Sequence, residues 1–355
     1  MEINLVKAII YQKKKDCWCK EKAAEWYRNQ DLIIGMNYLP RTASNTTEMW
    51  QKNSFDGKTI REELSWAHKF GYNSIRVFLP FVVYQMEREH FLSRIDEFLD
   101  IASDFNLKVV FVIFDDCAFS NELPHYGKQS EPKPFVHNSC WTASPGSNYV
   151  SDLFHYPELE EYEKAIISRY KDDKRILMWD LYNEPGNNNF GSKSLFLLKK
   201  AFDWAREINP IQPLTAGIWS ILSGNQKDAF FNDAISFELS DVISFHYYTD
   251  AEKMEQWLSL VKETGYPVIC TEWMARVFFN STIESVLPLF AREGIGSYHW
   301  GFVNGKTQTH IPWGWDEKKG EPTVWFHDVL KADGTAYSID EMKVVSRIAG
   351  DCRKQ

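Results

Sequence analysis

Clustered positive charge is what this chain most conspicuously lacks. Its 40 Lys and Arg stand against 49 Asp and Glu, for a formal net charge of −9 at pH 7. The one basic run, Lys13-Lys14-Lys15, is short, runs straight into Asp16, and reads as a solvated helix face. A nucleic-acid or anionic-membrane surface needs grouped cations, so neither partner is expected. Nor is there an apolar run long enough to cross a bilayer. The opening Met1-Glu2-Ile3-Asn4-Leu5-Val6-Lys7 has no positive leader, and Lys7 interrupts its apolar stretch. It does not read as a signal peptide, and a cytoplasmic location is the default expectation. The cysteines form no framework: Cys17-x-Cys19 lacks the second pair a zinc site requires, and Cys117, Cys140, Cys270 and Cys352 are scattered. Free thiols are expected, with Cys270 a small buried hydrophobe inside an apolar run. The 9 His are dispersed, with no His-x-His pair, so a metal-dependent hydrolase is disfavoured. No metal or organic cofactor is implied, and a monomer is the default.

What is present is aromatic surface and a regular alternation. Phe, Trp and Tyr make up 15% of the chain, with 14 Trp. Most should be core, but indole faces also stack on the apolar C–H faces of sugar rings. Short apolar runs recur at residues 33–37, 74–78, 109–114, 176–181, 214–217, 242–245, 267–270 and 295–300. Between them lie helix-period segments at 58–70, 90–106, 158–170, 195–208, 254–264 and 281–292, the first ended by Gly71. Apolar strands separated by amphipathic helices indicate parallel strands covered on both faces. Eight such units predict an α/β fold, a single-domain (β/α)8 TIM barrel. Residues 1–30 read as an N-terminal helical extension packed on the barrel, and residues 31–355 as the barrel itself. The turn after the first strand, Asn37-Tyr38-Leu39-Pro40-Arg41, cannot cradle a pyrophosphate. The stretch Asp115 to Tyr156 is too long for a plain connection and should be a functional loop on the active face.

In such a barrel the chemistry sits where the strands end. The first strand ends in Asn37 and the second carries Arg76. The third ends in Asp115-Asp116, the fourth in Asn183-Glu184-Pro185, and the fifth in Trp219. The sixth ends in His246-Tyr247-Tyr248, the seventh in Glu272-Trp273 and the eighth in Trp300. Glu184 and Glu272 thus face each other across the barrel mouth. Acetal hydrolysis requires such a pair, an acid for the leaving oxygen and a base or nucleophile beyond the anomeric carbon.

The segment Trp179-Asp180-Leu181-Tyr182-Asn183-Glu184-Pro185 together with Thr271-Glu272-Trp273 resembles clan A of the glycoside hydrolases, most closely family 5. Within that clan the chain is similar to bacterial cellulase-like and 1,4-β-xylanase-like proteins. The resemblance implies a retaining β-glycoside hydrolase acting on a β-linked oligo- or polysaccharide. It implies Glu184 as acid/base and Glu272 as the nucleophile that carries a covalent glycosyl intermediate. It implies Asn183 at the sugar 2-hydroxyl, Arg76 beside the nucleophile, His246 and Tyr248 as a His-x-Tyr pair, and Trp300 as the floor of the sugar site. A cation and a phenol near Glu272 should keep it ionised, while its charge should keep Glu184 protonated until glycosylation removes it. One departure from family 5 stands out. Where the third strand usually carries His, this chain has Asp115, which accepts hydrogen bonds but cannot donate as His does. Asp115, rather than Asp116, is expected to face inward, to take sugar hydroxyls or to hold Arg76. Asn138, Ser139 and Trp141, with Gly305 to His310 and Pro312-Trp313, are expected to wall one end of the cleft. The competing reading is a non-catalytic carbohydrate-binding barrel, which would have lost Glu184, Glu272 or Arg76.

Overall fold

The computed structural model describes residues 3–224 and 227–352. Met1 and Glu2, part of the leader reading, and the side chain of Cys352 lie outside the described residues. Eight parallel strands follow one another: β1 Ile34–Asn37, β2 Ser74–Phe78, β3 Lys108–Asp115, β4 Ile176–Asn183, β5 Leu214–Thr215, β6 Ile243–His246, β7 Val268–Trp273 and β8 Gly296–His299. Their lateral order is β5-β4-β3-β2-β1-β8-β7-β6, all pairings parallel. The seam between β5 and β6 is spanned by single bonds: Asp241 N–H to Leu214 O at 2.8 Å, Ile218 N–H to Ser244 O at 2.9 Å, and His246 N–H to Ile218 O at 2.9 Å. The result is a single-domain (β/α)8 barrel.

A principal helix follows each strand: Gly57–Phe70, Phe81–Asp104, Tyr156–Tyr170, Leu195–Ile208, Phe230–Leu239, Ala251–Lys262, Ile283–Glu293 and Ile339–Cys352. Gly71 closes the first of them at φ +100°, a conformation that costs glycine little, and donates to the carbonyls of Ala67 and His68. The second helix begins at Phe81, nine residues before the expected start at His90. It breaks at Glu87 (φ −150°), whose carboxylate takes the backbone N–H of Lys52 at 2.7 Å and binds Arg94. The helical period resumes only after that break, which is why the sequence shows a later start. Ala251–Lys262 also begins early, because the Asp250 side chain caps the Lys253 N–H.

The lower end of the barrel is filled by Ile33, Val110, Leu177, Met178, Val242, Ile269 and Tyr298, with Trp26 and Tyr27 packed beneath. Those two aromatics come from helix Lys20–Arg28. The Tyr27 hydroxyl donates to Gly294 O at 2.9 Å and accepts from Gly296 N–H at 2.7 Å, tying this helix to the start of β8. Among the described residues no helix is long and apolar enough to cross a membrane. Cys17, Cys19, Cys117, Cys140 and Cys270 are free thiols, and Cys270 is fully buried.

Candidate active site

Strand register brings the polar strand ends together in pairs. Asn37 lies beside Arg76 across β1 and β2, Asp115 beside Asn183 across β3 and β4, and His246 beside Glu272 across β6 and β7. Between β6 and β7 the register shifts by one residue after Phe245, which is what pairs His246 with Glu272 rather than with Thr271. Glu184 follows the last residue of β4 with φ +44°, a left-handed backbone uncommon for a side chain with a Cβ. Strained backbone of this kind concentrates where function needs a side chain held at one angle.

Arg76 is fully buried at the centre of the network. Its Nη1 donates to Glu272 Oε1 at 3.0 Å and Asn37 Oδ1 at 2.7 Å, and its Nη2 to Asn183 Oδ1 at 2.6 Å. Asp180 Oδ2 takes Nε at 2.9 Å and Nη2 at 2.8 Å. The Tyr248 hydroxyl donates to the other oxygen of Glu272 at 2.9 Å. His246 Nδ1 stands 2.9 Å from Glu184 Oε1 and 3.6 Å from Glu272 Oε2, bridging the two carboxylates. Asn187 donates to Glu184 Oε2. One ligand atom each from Glu184, His246 and Glu272 lie within 4.8 Å of one another. These three are the described residues grouped closely enough to offer ligands to a metal ion. Both Glu272 oxygens, however, already accept from Arg76 and Tyr248, the arrangement of a hydrogen-bonded carboxylate more than of an open ligand sphere.

Burial pushes Glu184 up to about 7, against the pull of Asn187 and Arg76. Glu272 is also raised, first by burial and then by Glu184, while His246, Arg76 and Tyr248 act to lower it. The cation and phenol expected to keep Glu272 ionised act with the expected sign, but burial outweighs them. His246 is pushed down to about 4 by burial, so it stays neutral near pH 7. Arg76 faces the Asp180 and Glu272 carboxyls, and among the described residues no Lys or Arg contacts Glu184 directly. Glu184 meets Asn187 and His246, whereas Glu272 meets the Arg76 cation and the Tyr248 hydroxyl, a difference that favours the proton on Glu184.

Asp115 does not hold Arg76; Asp180 does. Asp115 instead accepts from Asn183 Nδ2 at 2.8 Å, Trp141 Nε1 at 2.9 Å and the Cys117 N–H at 2.8 Å. It thereby orients Asn183 from behind, with its pKa raised to about 8 by burial. Asp116 is fully buried and holds the turn after β4 through Gly186 N–H, Ser194 and Tyr182. The cleft has a volume of about 450 Å³, and Asn183, Glu184, Trp219, His246, Tyr248, Glu272 and Trp300 all border it. Asn37, Arg76 and Asp115 stand one layer behind its wall. Trp300 is braced by Phe78 and Trp141, whose rings meet it edge-on at 5.9 and 5.7 Å. Trp219 donates to Pro185 O at 3.2 Å, beside Glu184.

Several residues at the site go unmarked by sequence reasoning. Asp180 is one, although a charge in the middle of an apolar parallel strand is itself a signal. His137 borders the cleft and accepts from Trp313 Nε1 at 3.2 Å. Gly217 leaves room for the His246 ring, since a Cβ there would stand 2.9 Å from Nε2. Neither has a local pattern that points to its role.

A family model described as cellulase (glycosyl hydrolase family 5) matches residues 35–316. No curated sequence relative matches the chain. Among solved structures, the chain is similar to the GH5_18 protein of Streptomyces cattleya in complex with GlcNAc, at 14% identity and TM-score 0.64, over 91% of this chain and 82% of that one. It is similar to an exo-beta-1,4-mannosidase from Opitutaceae bacterium strain TAV5, at 15% identity and TM-score 0.65, over 91% of this chain and 60% of that one. It is also similar to a hyperthermostable endo-1,4-beta-D-mannanase from Thermotoga petrophila RKU-1, at 14% identity and TM-score 0.60, over 90% and 99%.

Proposed function

The chain belongs to glycosyl hydrolase family 5 and is a glycoside hydrolase, and on that premise we propose that it cleaves β-glycosides with retention, through Glu272 as nucleophile and Glu184 as acid/base. The observation that carries this reading is the pair itself: one oxygen of each carboxylate lies within 4.8 Å of one of the other, in unlike surroundings, a closeness that fits direct attack and not an intervening water. Direct attack needs carboxyls about 5–5.5 Å apart, whereas an intervening water needs about 6.5–9.5 Å.

The two steps follow from the contacts. A Glu272 oxygen attacks the anomeric carbon as Glu184 gives its proton to the departing glycosidic oxygen, leaving a glycosyl ester on Glu272 and a free alcohol. Arg76 and Tyr248 hold Glu272 in the attacking orientation. Esterification removes the Glu272 charge, which lowers the pKa of Glu184. The Glu184 carboxylate then takes a proton from water, whose oxygen attacks the same carbon and releases the sugar with its original configuration. Asn183, fixed by Asp115 and Arg76, is placed to bind a hydroxyl of the ring, and Trp300 supplies the stacking face.

The test uses activated 2-deoxy-2-fluoro glycosides of gluco, manno and xylo configuration, followed by mass mapping of the labelled peptide. Label on Glu272 is the expected result, and the configuration that reacts fastest names the sugar. Label on any other residue overturns the assignment. Proton NMR of the first product should show the β-anomer before mutarotation.

A further inference from the structure

We propose that the cleft is a blind pocket on its glycone side, so that the enzyme removes one sugar at a time from the non-reducing end of a β-linked chain. This rests on the retaining reading above and specifies its substrate. Every strand from β3 to β8 contributes, at its end or from the segment after it, a described residue bordering the cleft, whereas β1 and β2 contribute none. That side of the barrel mouth is roofed. The segment after β3 and the segment after β8 are laced together: Asn138 N–H donates to Thr307 O at 2.7 Å and Phe135 N–H to Gln308 Oε1 at 2.8 Å. Gln308 Nε2 returns to Lys133 O at 2.8 Å, and His137 Nδ1 meets Ile311 O at 2.7 Å. The segment after β1 joins the same roof, with Lys306 N–H on Arg41 O at 3.0 Å and Asn45 Nδ2 on Cys140 O at 3.0 Å.

Beneath this roof lies Trp141, 3% exposed, wedged edge-on against Phe78 and Trp300 and anchored through its indole to Asp115. Trp300 is therefore a partition. On one face is the cleft; on the other, bordered by Asn138 and Trp141, is a cavity of about 20 Å³. That space accommodates little more than a water molecule and no further sugar ring. Among the described residues the opposite side is open. Beyond Glu184 the cleft continues past Trp219, Leu222 and Ser223 after β5 and Lys253 after β6, of which Ser223 and Lys253 are exposed. The acid must stand beside the oxygen it protonates, so the leaving group lies on this open side. The ring whose anomeric carbon is attacked then sits over Trp300 with its far end against the wall. A chain extended from that end has nowhere to go.

The wild-type enzyme decides the matter with mannohexaose, cellohexaose and xylohexaose, each β-1,4-linked, with and without a 4-O-methyl cap on the non-reducing terminal sugar. Early products are separated by chromatography, and inactivation by the monosaccharide fluoroglycosides is scored alongside. Monosaccharide and pentasaccharide as the sole first products, with cleavage of the capped chain lost to background, are the expected results. Di- or trisaccharides among the first products, or turnover of the capped chain, overturn the blind pocket while leaving a labelled Glu272 intact. Failure of every fluoroglycoside to label Glu272 overturns the retaining reading, and this inference falls with it.

Discussion

At Glu184 and Glu272 the same burial acts on two carboxyls, and their different partners decide which one keeps the proton. As the proposed acid, Glu184, pushed up to about 7 by burial, can serve only below that value, so kcat/KM should fall as pH rises through about 7. In Glu184→Gln the group no longer titrates. With a dinitrophenyl glycoside, whose leaving group needs no proton, the alkaline limb should disappear from the profile of the first step. With unactivated substrates the loss should be about 10²–10⁴-fold, measured as kcat/KM, while with the dinitrophenyl glycoside azide should restore turnover by attacking the glycosyl ester. An alkaline limb that persists unchanged in the variant would show that another group is the acid. A second expectation concerns Gly217. Because its missing Cβ would stand 2.9 Å from His246 Nε2, Gly217→Ala must displace the ring that bridges both carboxylates. Overpacking of this kind costs about 1–3 kcal/mol, and a shift near 1 Å can lower kcat by up to about 100-fold. Steady-state kinetics beside thermal melting would separate the two effects.

Among the elements, the strands and the loops differ in how much of them is legible in the sequence. Parallel strands buried on both faces print as apolar runs, and the first polar residues after them mark the barrel mouth. Glu184 and Glu272 are readable for that reason, whereas Arg76, inside β2, and Tyr248 are picked out by the family resemblance. Asp115 is readable as an inward strand end, but its work is not, because Trp141 and Asn183 reach it across segments with no periodicity. The cleft roof is legible only as two loops rich in donors; which donor meets which acceptor depends on the tertiary approach of chain segments about 170 residues apart, as Phe135 and Gln308 show. Helix Lys20–Arg28 supplies a prediction at this scale. Tyr27→Phe removes both bonds to the start of β8 and leaves the Gly296 N–H without its acceptor. The expected cost is about 1–3 kcal/mol, read from urea denaturation, with kcat/KM unchanged because the tie lies at the end opposite the cleft.

For the molecule as a whole, buried titratable groups set how stability varies with pH. Burial raises Glu63, Asp116 and Glu184 to about 7, Asp115 to about 8 and Asp233 to about 6. Unfolded carboxyls titrate near 4, so from there up to these folded values the folded chain holds more protons. Their contribution is therefore complete below about pH 4 and declines as pH rises through the folded values. His137, His246 and His299 are lowered to about 4. Between 4 and the unfolded value near 6.5 the unfolded chain holds more protons there, and stability climbs with pH. The two sets oppose each other up to about 6.5, and from there to about 8 the carboxyls dominate; above that, Lys14, pushed down to about 8 by burial, adds a rise with pH. Calorimetry from pH 5 to 8 should accordingly show Tm falling between about 6.5 and 8; a steady rise over that interval would refute the assignment. The division of the barrel mouth has a different consequence. The open side of the cleft hangs on β5, two residues long, and on the seam that single bonds close to β6, while the catalytic pair is fastened to the eight-residue β4 and the six-residue β7. Recognition of the departing group can thus drift by substitution at 219–223 and 249–253 without touching the chemistry, which makes those two segments the place for natural diversification and for a designed library seeking new acceptors.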